Sequence, residues 1–299
     1  MVNVELHGIV PVMVTPMTIK GEPDEDGIYR LADHFVKAGC GGAWVLGSAS
    51  EDNNMSWDQI ARVFKIAAGA FDGRIPIICG TGTRRVDDTL RFLEDCAGLQ
   101  VTGVHVLYFD HKQGDRRVIG NIIRLADKSP YPIWLYTNPK RGKQITNVHI
   151  RELRDHPNIH GIKNGSYVLR EQIEALMLEQ PGFQVIGASG FQFFSALALG
   201  ARAHTASSAG CWPEEYVALY KEFKSGLFEA ARARQFRLSQ LEWNLPRTDN
   251  GESAAEEKYI LSLRGICGEY CNPAYRLLTG EEKEKARRLV RDFGFAWAK

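Results

Sequence analysis

Short apolar runs alternate with longer amphipathic segments along most of the chain. The first apolar run, residues 8–15, is followed at 24–38 by apolar residues at helical spacing, which is the pattern of a strand and then a helix. Further apolar runs, each followed by a helical pattern, occur at residues 42–46, 75–79, 103–107, 132–136, 159–163, 183–187 and 203–207. The pattern therefore predicts eight strand-helix units before residue 226.

Several of the predicted helices carry residues that start or stop a helix. Ser56 and Gln59 have the spacing of a capping box at the start of the second helix. Gly39 follows the first helix as a stop signal. Pro213 falls in the first turn of the eighth helix, where its missing N–H does no harm. These local signals agree with the boundaries that the periodicity predicts.

The number of units decides the predicted fold class. Parallel strands joined by helices need both faces of the sheet covered, and eight such units close naturally into a barrel. An open doubly wound sheet is the alternative, but the glycine-rich turns at 80–82 and 187–190 lack the dinucleotide spacing G-x-G-x-x-G. We therefore predict an α/β fold, a (β/α)8 TIM barrel, over residues 1–226.

The strand pattern stops after Gly226. Segments 227–243, 254–263 and 281–293 have helical patterns, and together they predict a C-terminal helical extension over residues 227–299. We therefore expect a catalytic barrel followed by a helical region.

Composition narrows the classes of partner. The 299 residues carry a formal net charge of +1, which gives no bulk electrostatic argument for nucleic acid or an anionic membrane. The first residues lack the features of a signal peptide, and no uncharged apolar run reaches the ~18 residues of a membrane span. We expect a cytoplasmic protein whose partners are small molecules or copies of itself. The six scattered cysteines do not resemble a disulfide framework, and no histidine or carboxylate cluster has metal-ligand spacing, so we expect no metal.

Candidate chemical groups follow from the rule that active sites of such barrels lie where strands end. Lys163 ends the sixth predicted strand, Tyr136 ends the fifth, and Gly187 ends the seventh. Gly47, Ser48 and Ala49 follow the second strand. We therefore expect a lysine, a tyrosine and a serine to converge at one end of the barrel.

These side chains form a set suited to carbonyl chemistry. A neutral lysine amine adds to a ketone and loses water to give an iminium ion, which permits bond cleavage or formation at the adjacent carbon. Burial helps because it lowers the pKa of the amine and keeps it neutral. A tyrosine hydroxyl can move protons, and a serine hydroxyl with backbone N–H groups can hold a carboxylate.

Each candidate also has a structural alternative. For Lys163 the alternative is a lysine that pairs with a carboxylate or reaches solvent. For Tyr136 it is a core aromatic residue with its hydroxyl at the rim of the barrel. For Ser48 the alternative is a residue that forms the turn. Arg141 is interpreted either as a solvated charge in a loop or as an arginine that binds a carboxylate. His105, inside an apolar strand, fits a core histidine better than a base or a ligand.

Three motifs give the chain a resemblance to a known family. Residues 47–51 (Gly-Ser-Ala-Ser-Glu) are similar to a G-[TS]-x-G-E loop, 135–139 (Leu-Tyr-Thr-Asn-Pro) to a Y-N-x-P motif, and 161–163 (Gly-Ile-Lys) to a G-[IV]-K motif. Together they resemble the dihydrodipicolinate synthase and N-acetylneuraminate lyase family of Schiff-base barrel lyases, and the likeness runs nearly end to end.

The resemblance implies specific roles. Lys163 would form the Schiff base with pyruvate or a related 2-oxo acid, and Tyr136 would relay protons. Ser48 with the Ala49 backbone would bind the carboxylate of the oxo acid, and Arg141 falls where the synthases keep a carboxylate-binding arginine. Such enzymes are commonly homotetramers and need no cofactor beyond the lysine, so we expect a homo-oligomer, tetramer or dimer, without a cofactor.

The chain also departs from the family's pattern. Ser48-Ala49 stands where the synthases usually carry two adjacent threonines, and Ser50 replaces a glycine. Tyr108, the candidate for a tyrosine lent across a subunit interface, lies in a loop shorter by about two residues. We therefore expect an aldolase or dehydratase acting on a 2-oxo acid. An authentic synthase that condenses pyruvate with aspartate semialdehyde, and a non-catalytic ketoacid-binding barrel, are the alternatives.

Overall fold

Eight parallel strands form the centre of the structure, a computed structural model that describes residues 5–82, 85–107, 110–138, 140–248, 254–295 and 297–298. The strands are β1 (Gly8–Pro11), β2 (Ala43–Val45), β3 (Ile77–Gly80), β4 (Gly103–Val106), β5 (Ile133–Thr137), β6 (Ile159–Asn164), β7 (Gln184–Ala188) and β8 (Ala203–Ala206). They are hydrogen-bonded in the order β1-β8-β7-β6-β5-β4-β3-β2.

The sheet closes between its first and second strands. Val12 N–H donates to the Ala206 carbonyl (3.0 Å), and the next residue, Met13, donates its N–H to the Trp44 carbonyl (2.8 Å). Just beyond β1 the backbone thus changes partner from β8 to β2, which is why the strand predicted over 8–15 ends at Pro11. The closure confirms the predicted TIM barrel and excludes the open doubly wound sheet.

A helix follows each strand. These helices are α1 (Glu25–Ala38), α2 (Trp57–Phe71), α3 (Val86–Asp95), α4 (Asp115–Lys128), α5 (Asn147–Leu153), α6 (Leu169–Leu176), α7 (Phe193–Ala198) and α8 (Pro213–Lys224). The capping box of Ser56 and Gln59 and the position of Pro213 are as predicted. Helix α3 ends at Asp95, and Gly98 then turns the chain with a left-handed φ of 87°.

Aromatic side chains fill the interior of the barrel. Trp44 stacks on His105 with ring centroids 4.7 Å apart, and it meets the edges of Trp134 and Tyr136 at 6.2 Å and 5.8 Å. Gly161 of the Gly-Ile-Lys motif makes room for this cluster, because a Cβ there would lie 2.6 Å from the Trp134 ring and 2.4 Å from the Gln184 carbonyl oxygen. The interior is therefore a packed core, and space for a ligand remains only at the end of the barrel.

Three helices make up the C-terminal region: α9 (Phe228–Asn244), α10 (Ala255–Leu263) and α11 (Gly280–Phe293). They match the three predicted helical segments. Since α9 packs directly on α8 and on the turn 190–192, the division of the chain at residue 226 stays a prediction. Over the described ranges, every helix is too short or too polar to cross a membrane.

Candidate active site

A cavity of about 480 Å³ lies at the carboxyl end of the strands. Lys163 of β6, Tyr136 of β5, and Ser48 and Ala49 after β2 all line it. The structure therefore brings together four of the residues that the strand-end rule selected, although they are separated by more than a hundred positions in the chain.

Lys163 is buried among aromatic rings. Its side chain is 3% exposed, and Nζ lies 4.5 Å from the centroid of the Tyr136 ring and 4.9 Å from that of Trp44. No carboxylate of the described residues forms an ion pair with it. Burial lowers the pKa of the amine from its ordinary 10.5 to about 7. The structural alternatives, a lysine paired with a carboxylate or one reaching solvent, are therefore wrong.

Tyr136, Ser48 and Asn138 form a hydrogen-bond network beside this amine. The Ser48 and Tyr136 hydroxyl oxygens are 3.4 Å apart, and Asn138 Nδ2 donates to both of them, at 3.0 Å and 3.3 Å. Burial raises the pKa of the tyrosine, so its hydroxyl keeps its proton near neutral pH. Tyr136 is thus a core aromatic residue through its ring and a candidate proton carrier through its hydroxyl. Asn138 was missed as a site residue, although it belongs to the Tyr-x-Asn-Pro motif.

Arg141 lies behind the network rather than in solvent. It is 4% exposed, and its Nη1 donates to Asp52 Oδ1 and to Ser48 Oγ, both at 3.1 Å. The interpretation of Arg141 as a solvated loop charge is therefore wrong. The cavity is lined by Ser48 and not by Arg141, so the guanidinium contacts the serine hydroxyl rather than the cavity itself. Asp52, which holds the guanidinium in turn, was missed by the sequence analysis.

The loop 47–51 is fixed by its own side chains. Ser50 Oγ accepts a hydrogen bond from Gly47 N–H (3.1 Å) and donates one to the Met13 carbonyl (2.6 Å). Leu46 and Glu51, at the two ends of the loop, have left-handed φ angles of 56° and 62°, which are strained for residues with side chains. The serine that replaces the family's glycine therefore ties a strained loop to β1.

A buried ion pair supports the same loop from the C-terminal region. Lys258 of α10 places its Nζ 2.5 Å from Glu51 Oε1, and the two side chains are 0% and 1% exposed. The other oxygen of Glu51 accepts the Asn272 N–H at 2.7 Å. Nothing in the local sequence pattern indicated this contact, because its partners are 207 positions apart.

Four charged residues from the C-terminal region, next to Thr248, form one wall of the cavity, and the sequence analysis missed them all. The wall consists of Glu242 of α9, Arg247, and Glu256 and Glu257 of α10. Arg247 pairs with Glu256 at 3.0 Å and lies 3.9 Å from Glu242. We call these four residues the carboxyl wall.

The remaining predicted residues lie around this cavity. Gly47 and Gly187 are not among the residues lining it, and a Cβ on Gly187 would lie 2.6 Å from the His204 ring. His105 is a core residue, as expected: its Nε2 lies 3.1 Å from the Val45 carbonyl oxygen, and burial and the nearby lysine lower its pKa to about 3. Tyr108 lies outside the described residues.

Comparisons with known proteins agree with the motifs. The chain is 26% identical over 286 residues to a 4-hydroxy-tetrahydrodipicolinate synthase from Limosilactobacillus fermentum, covering 93% of this chain and 89% of that protein. A prophage protein of the dihydrodipicolinic acid synthase family from E. coli, solved in complex with pyruvate, superposes with a TM-score of 0.89 at 23% identity over 96% of this chain and 98% of its own. A sialic acid aldolase from Ruminococcus gnavus superposes with a TM-score of 0.87 at 19% identity over 96% and 98%.

Family membership rests on the sequence match rather than on the shared fold. Structural likeness at these identities shows the TIM barrel alone, which hosts many unrelated activities. The model of the Dihydrodipicolinate synthetase family, however, matches residues 5–292. Since that match covers almost the whole chain, the protein belongs to the dihydrodipicolinate synthetase family, whose members are synthases and lyases.

Proposed function

We propose that this protein is a class I lyase, of aldolase or dehydratase type, that forms a Schiff base between Lys163 and pyruvate or a related 2-oxo acid. The observation that carries the proposal is the buried Lys163 amine, whose pKa near 7 leaves much of it unprotonated at neutral pH. The E. coli relative solved with pyruvate supports the choice of oxo acid.

The chemistry needs a place for the carboxylate of the oxo acid. The Ser48 hydroxyl, held by Asn138 and Arg141, lines the cavity next to Ala49. Donors fixed in advance bind an anion without having to reorganise, and Arg141, itself paired with Asp52, holds the serine hydroxyl in place. With the carboxylate on Ser48 and the Ala49 backbone, the ketone carbon would face the Lys163 amine.

Tyr136 would carry the protons of the reaction. The amine adds to the ketone to give a carbinolamine, whose hydroxyl must take up a proton before it leaves as water. The Tyr136 hydroxyl is close to both groups, since its ring lies against Lys163 Nζ and its oxygen is 3.4 Å from Ser48 Oγ. The resulting iminium withdraws electrons from the neighbouring carbon, where a C–C or C–O bond then breaks.

We favour an aldolase or dehydratase over an authentic synthase. Ala49 lacks the hydroxyl that the synthases usually carry there, and one side of the cavity is formed by three carboxyl side chains. The names of the curated relatives favour the synthase as second candidate. Condensation of pyruvate with aspartate semialdehyde, measured as loss of pyruvate, separates the two, because only a synthase turns over this pair. We further propose a homo-oligomer in the cytoplasm, which light scattering and cell fractionation test.

Borohydride reduction in the presence of pyruvate tests the central proposal. Hydride addition converts the imine into a stable secondary amine, so mass spectrometry should find the reduced pyruvyl group on Lys163. An unlabelled Lys163 under saturating pyruvate contradicts the proposal. Labelling without product from a panel of aldehydes and sugar acids favours the non-catalytic ketoacid-binding barrel.

The rate of imine formation should depend on pH through the amine. Only the neutral form attacks, and the pKa of Lys163 is about 7, so the rate should fall about tenfold for each pH unit below that value and level off above it. Stopped borohydride trapping between pH 5 and 10 measures the profile. A rate that continues to rise up to pH 10 would show an ordinary, solvated lysine.

Replacing Tyr136 with phenylalanine should slow the reaction without unfolding the protein. The ring that packs against Trp44 is kept, but the hydroxyl between Ser48 and the reacting atoms is lost. We expect kcat to fall by roughly 10²–10⁴, the usual range for a proton-transfer group, with a smaller change in KM. The control is Tyr29→Phe, which changes an exposed tyrosine of α1. Equal rates for both variants would remove Tyr136 from the mechanism.

A further inference from the structure

The carboxyl wall (Glu242, Arg247, Glu256 and Glu257) belongs to the same cavity as Lys163, yet the proposed chemistry uses none of its groups. It is contributed by α9, α10 and the chain between them, whereas Lys163, Tyr136 and Ser48 lie at strand ends. Because the oxo acid's carboxylate is accounted for at Ser48, the wall faces the part of a substrate that is remote from the Schiff base.

Most of the wall is occupied by contacts within the protein. Glu242 Oε2 accepts a hydrogen bond from Ser208 Oγ at 3.0 Å and lies 3.5 Å from the Tyr216 hydroxyl. Glu256 Oε1 accepts from Arg247 Nη1 at 3.0 Å. The guanidinium of Arg247 is thus already neutralised by a carboxylate and does not offer an uncompensated positive charge to a ligand.

Glu257 differs from its neighbours. It is 2% exposed, comparable with the 3% of Lys163 in the same cavity, and its Oε2 has no hydrogen-bond partner among the residues that the structure describes. A buried polar atom without a partner is unfavourable unless something else satisfies it. Burial, with a smaller effect of Glu256, raises the pKa of Glu257 to about 8. At neutral pH the carboxyl is therefore mostly protonated and can both donate and accept a hydrogen bond.

We propose that Glu257 is a specificity-determining residue that hydrogen-bonds hydroxyl groups on the part of the substrate remote from Lys163. The substrate class that fits is an uncharged, hydroxylated chain attached to the oxo acid, because a hydroxyl group matches a carboxyl that both donates and accepts. This inference rests on the proposed Schiff-base function, whose site it deepens.

The same wall disfavours a substrate with a second carboxylate. Such a group would approach Glu242, Glu256 and Glu257 together, while Arg247 is engaged by Glu256. The remaining groups near Glu257 are Ser207, whose hydroxyl hydrogen-bonds it, and the Cys211 thiol; neither adds positive charge. Besides Lys163 and Arg247, Lys140 is the cation among the described residues that line the cavity, and it is exposed. Because Glu257 is mostly neutral and Arg247 is already paired with Glu256, a second carboxylate would meet the Glu242 carboxyl and no uncompensated positive charge on the wall, which acts against diacids.

Three 2-oxo acids of six carbons test the proposal, with mass spectrometry separating the intact six-carbon adduct on Lys163 from any pyruvyl adduct left by cleavage. They are 3-deoxy-2-oxo-D-gluconate, which carries hydroxyls, 2-oxoadipate, which carries a terminal carboxylate, and 2-oxohexanoate, which is apolar. Each presents the same 2-oxo acid group to Lys163. The concentration that gives half-maximal borohydride trapping therefore compares how strongly the carboxyl wall binds the rest of each molecule. We expect the hydroxylated acid to need a concentration about tenfold lower than either of the others, the effect of one or two satisfied hydrogen bonds.

Variants of Glu257 assign the preference to this residue. Glu257→Ala should raise the half-trapping concentration of the hydroxylated acid about tenfold and that of 2-oxohexanoate less than about threefold. Glu257→Gln keeps a neutral donor and acceptor, so at pH 7 it should bind the hydroxylated acid almost as the unchanged protein does. Above pH 8, where the glutamate ionises, only the unchanged protein should lose affinity. Glu229→Gln, on the exposed side of α9, is the control, and thermal melting verifies that each variant is folded.

The outcomes separate the two proposals. Absence of trapping with pyruvate itself contradicts the Schiff-base function. Normal pyruvate trapping together with a preference for 2-oxoadipate, or with failure to trap any of the three longer acids, overturns the role of the wall. An alanine variant that weakens the hydroxylated and the apolar acid by the same factor also overturns it, since the effect would then be one of shape.

Discussion

Replacing Lys163 with methionine is expected to abolish trapping of pyruvate and to lower kcat/KM by at least about 10³, while the protein becomes more resistant to heat. The loss of activity follows because no other amine of the described residues lies beside both Tyr136 and Trp44. The gain in stability follows because the lysine is buried with no carboxylate of the described residues as its partner, whereas methionine fills a similar volume and has no charge to desolvate.

The gain in stability should itself depend on pH. An unfolded lysine holds its proton up to a pH of about 10.4, but in the folded protein burial lowers the pKa of Lys163 to about 7. Between these values the unfolded state binds the extra proton, so the stability of the unchanged protein rises with pH across this window. The methionine variant lacks that contribution, and the difference in melting temperature should be largest at or below pH 7 and shrink towards pH 10.

Thermal melting of both proteins at several pH values, with borohydride trapping, provides the measurement. Lys128→Met, which changes an exposed lysine of α4, is the matched control and should leave trapping and melting nearly unchanged. A methionine variant at position 163 that melts at a lower temperature than the unchanged protein at every pH would show that the amine has a stabilising partner.

Replacing Lys258 with methionine is expected to destabilise the protein by about 3–5 kcal/mol, because it leaves the charge of Glu51 buried without its partner. The Asn272 N–H and the Cys271 thiol, which carry no charge, would then be left to face that carboxylate. Glu51 is also one end of the strained loop that presents Ser48, so the surviving folded protein should bind pyruvate more weakly.

Urea denaturation of the single variants Lys258→Met and Glu51→Gln and of the double variant measures this effect. The double variant should recover part of the lost stability, because no charge is then left unpaired. The control is Lys283→Met, which removes a partly exposed pair with Glu269 at 2.8 Å and should cost at most about 1 kcal/mol. A loss at Lys258 no larger than at Lys283 would contradict the importance of the buried pair.

Periodicity and the strand-end rule predicted much of this molecule. Each strand-helix unit is local, so the apolar runs were enough to find all eight strands. Parallel strands of a barrel present their carboxyl ends together, and this placed Ser48, Tyr136 and Lys163 at one cavity without knowledge of their contacts. The pKa of the lysine could be anticipated in direction, because Lys163 ends a predicted buried strand and directly follows Gly161 and Ile162.

Contacts between distant parts of the chain could not be predicted in this way. The sequence around Arg141 is compatible both with an arginine in solvent and with one that pairs with Asp52. Only the folded loop shows that the pair forms. Glu257 and Lys258 belong to a helix whose pattern indicates a partly charged surface, yet both are buried against the barrel. A single sequence records the charge of such residues but not the distant group that compensates it.

Two consecutive residues of α10 make different contacts: Glu257 lines the cavity, and Lys258 pairs with Glu51 of the loop that carries Ser48. An exchange of α9 and α10 with those of a relative would therefore transplant the recognition of the second half of the substrate, but only if the incoming helix still supplies a cation for Glu51. With the proposed role of Glu257, the helical extension would act as an exchangeable part that sets substrate preference, with the contact of Lys258 with Glu51 as its one required attachment. New substrate preferences would then arise by altering it while the strand ends stay unchanged.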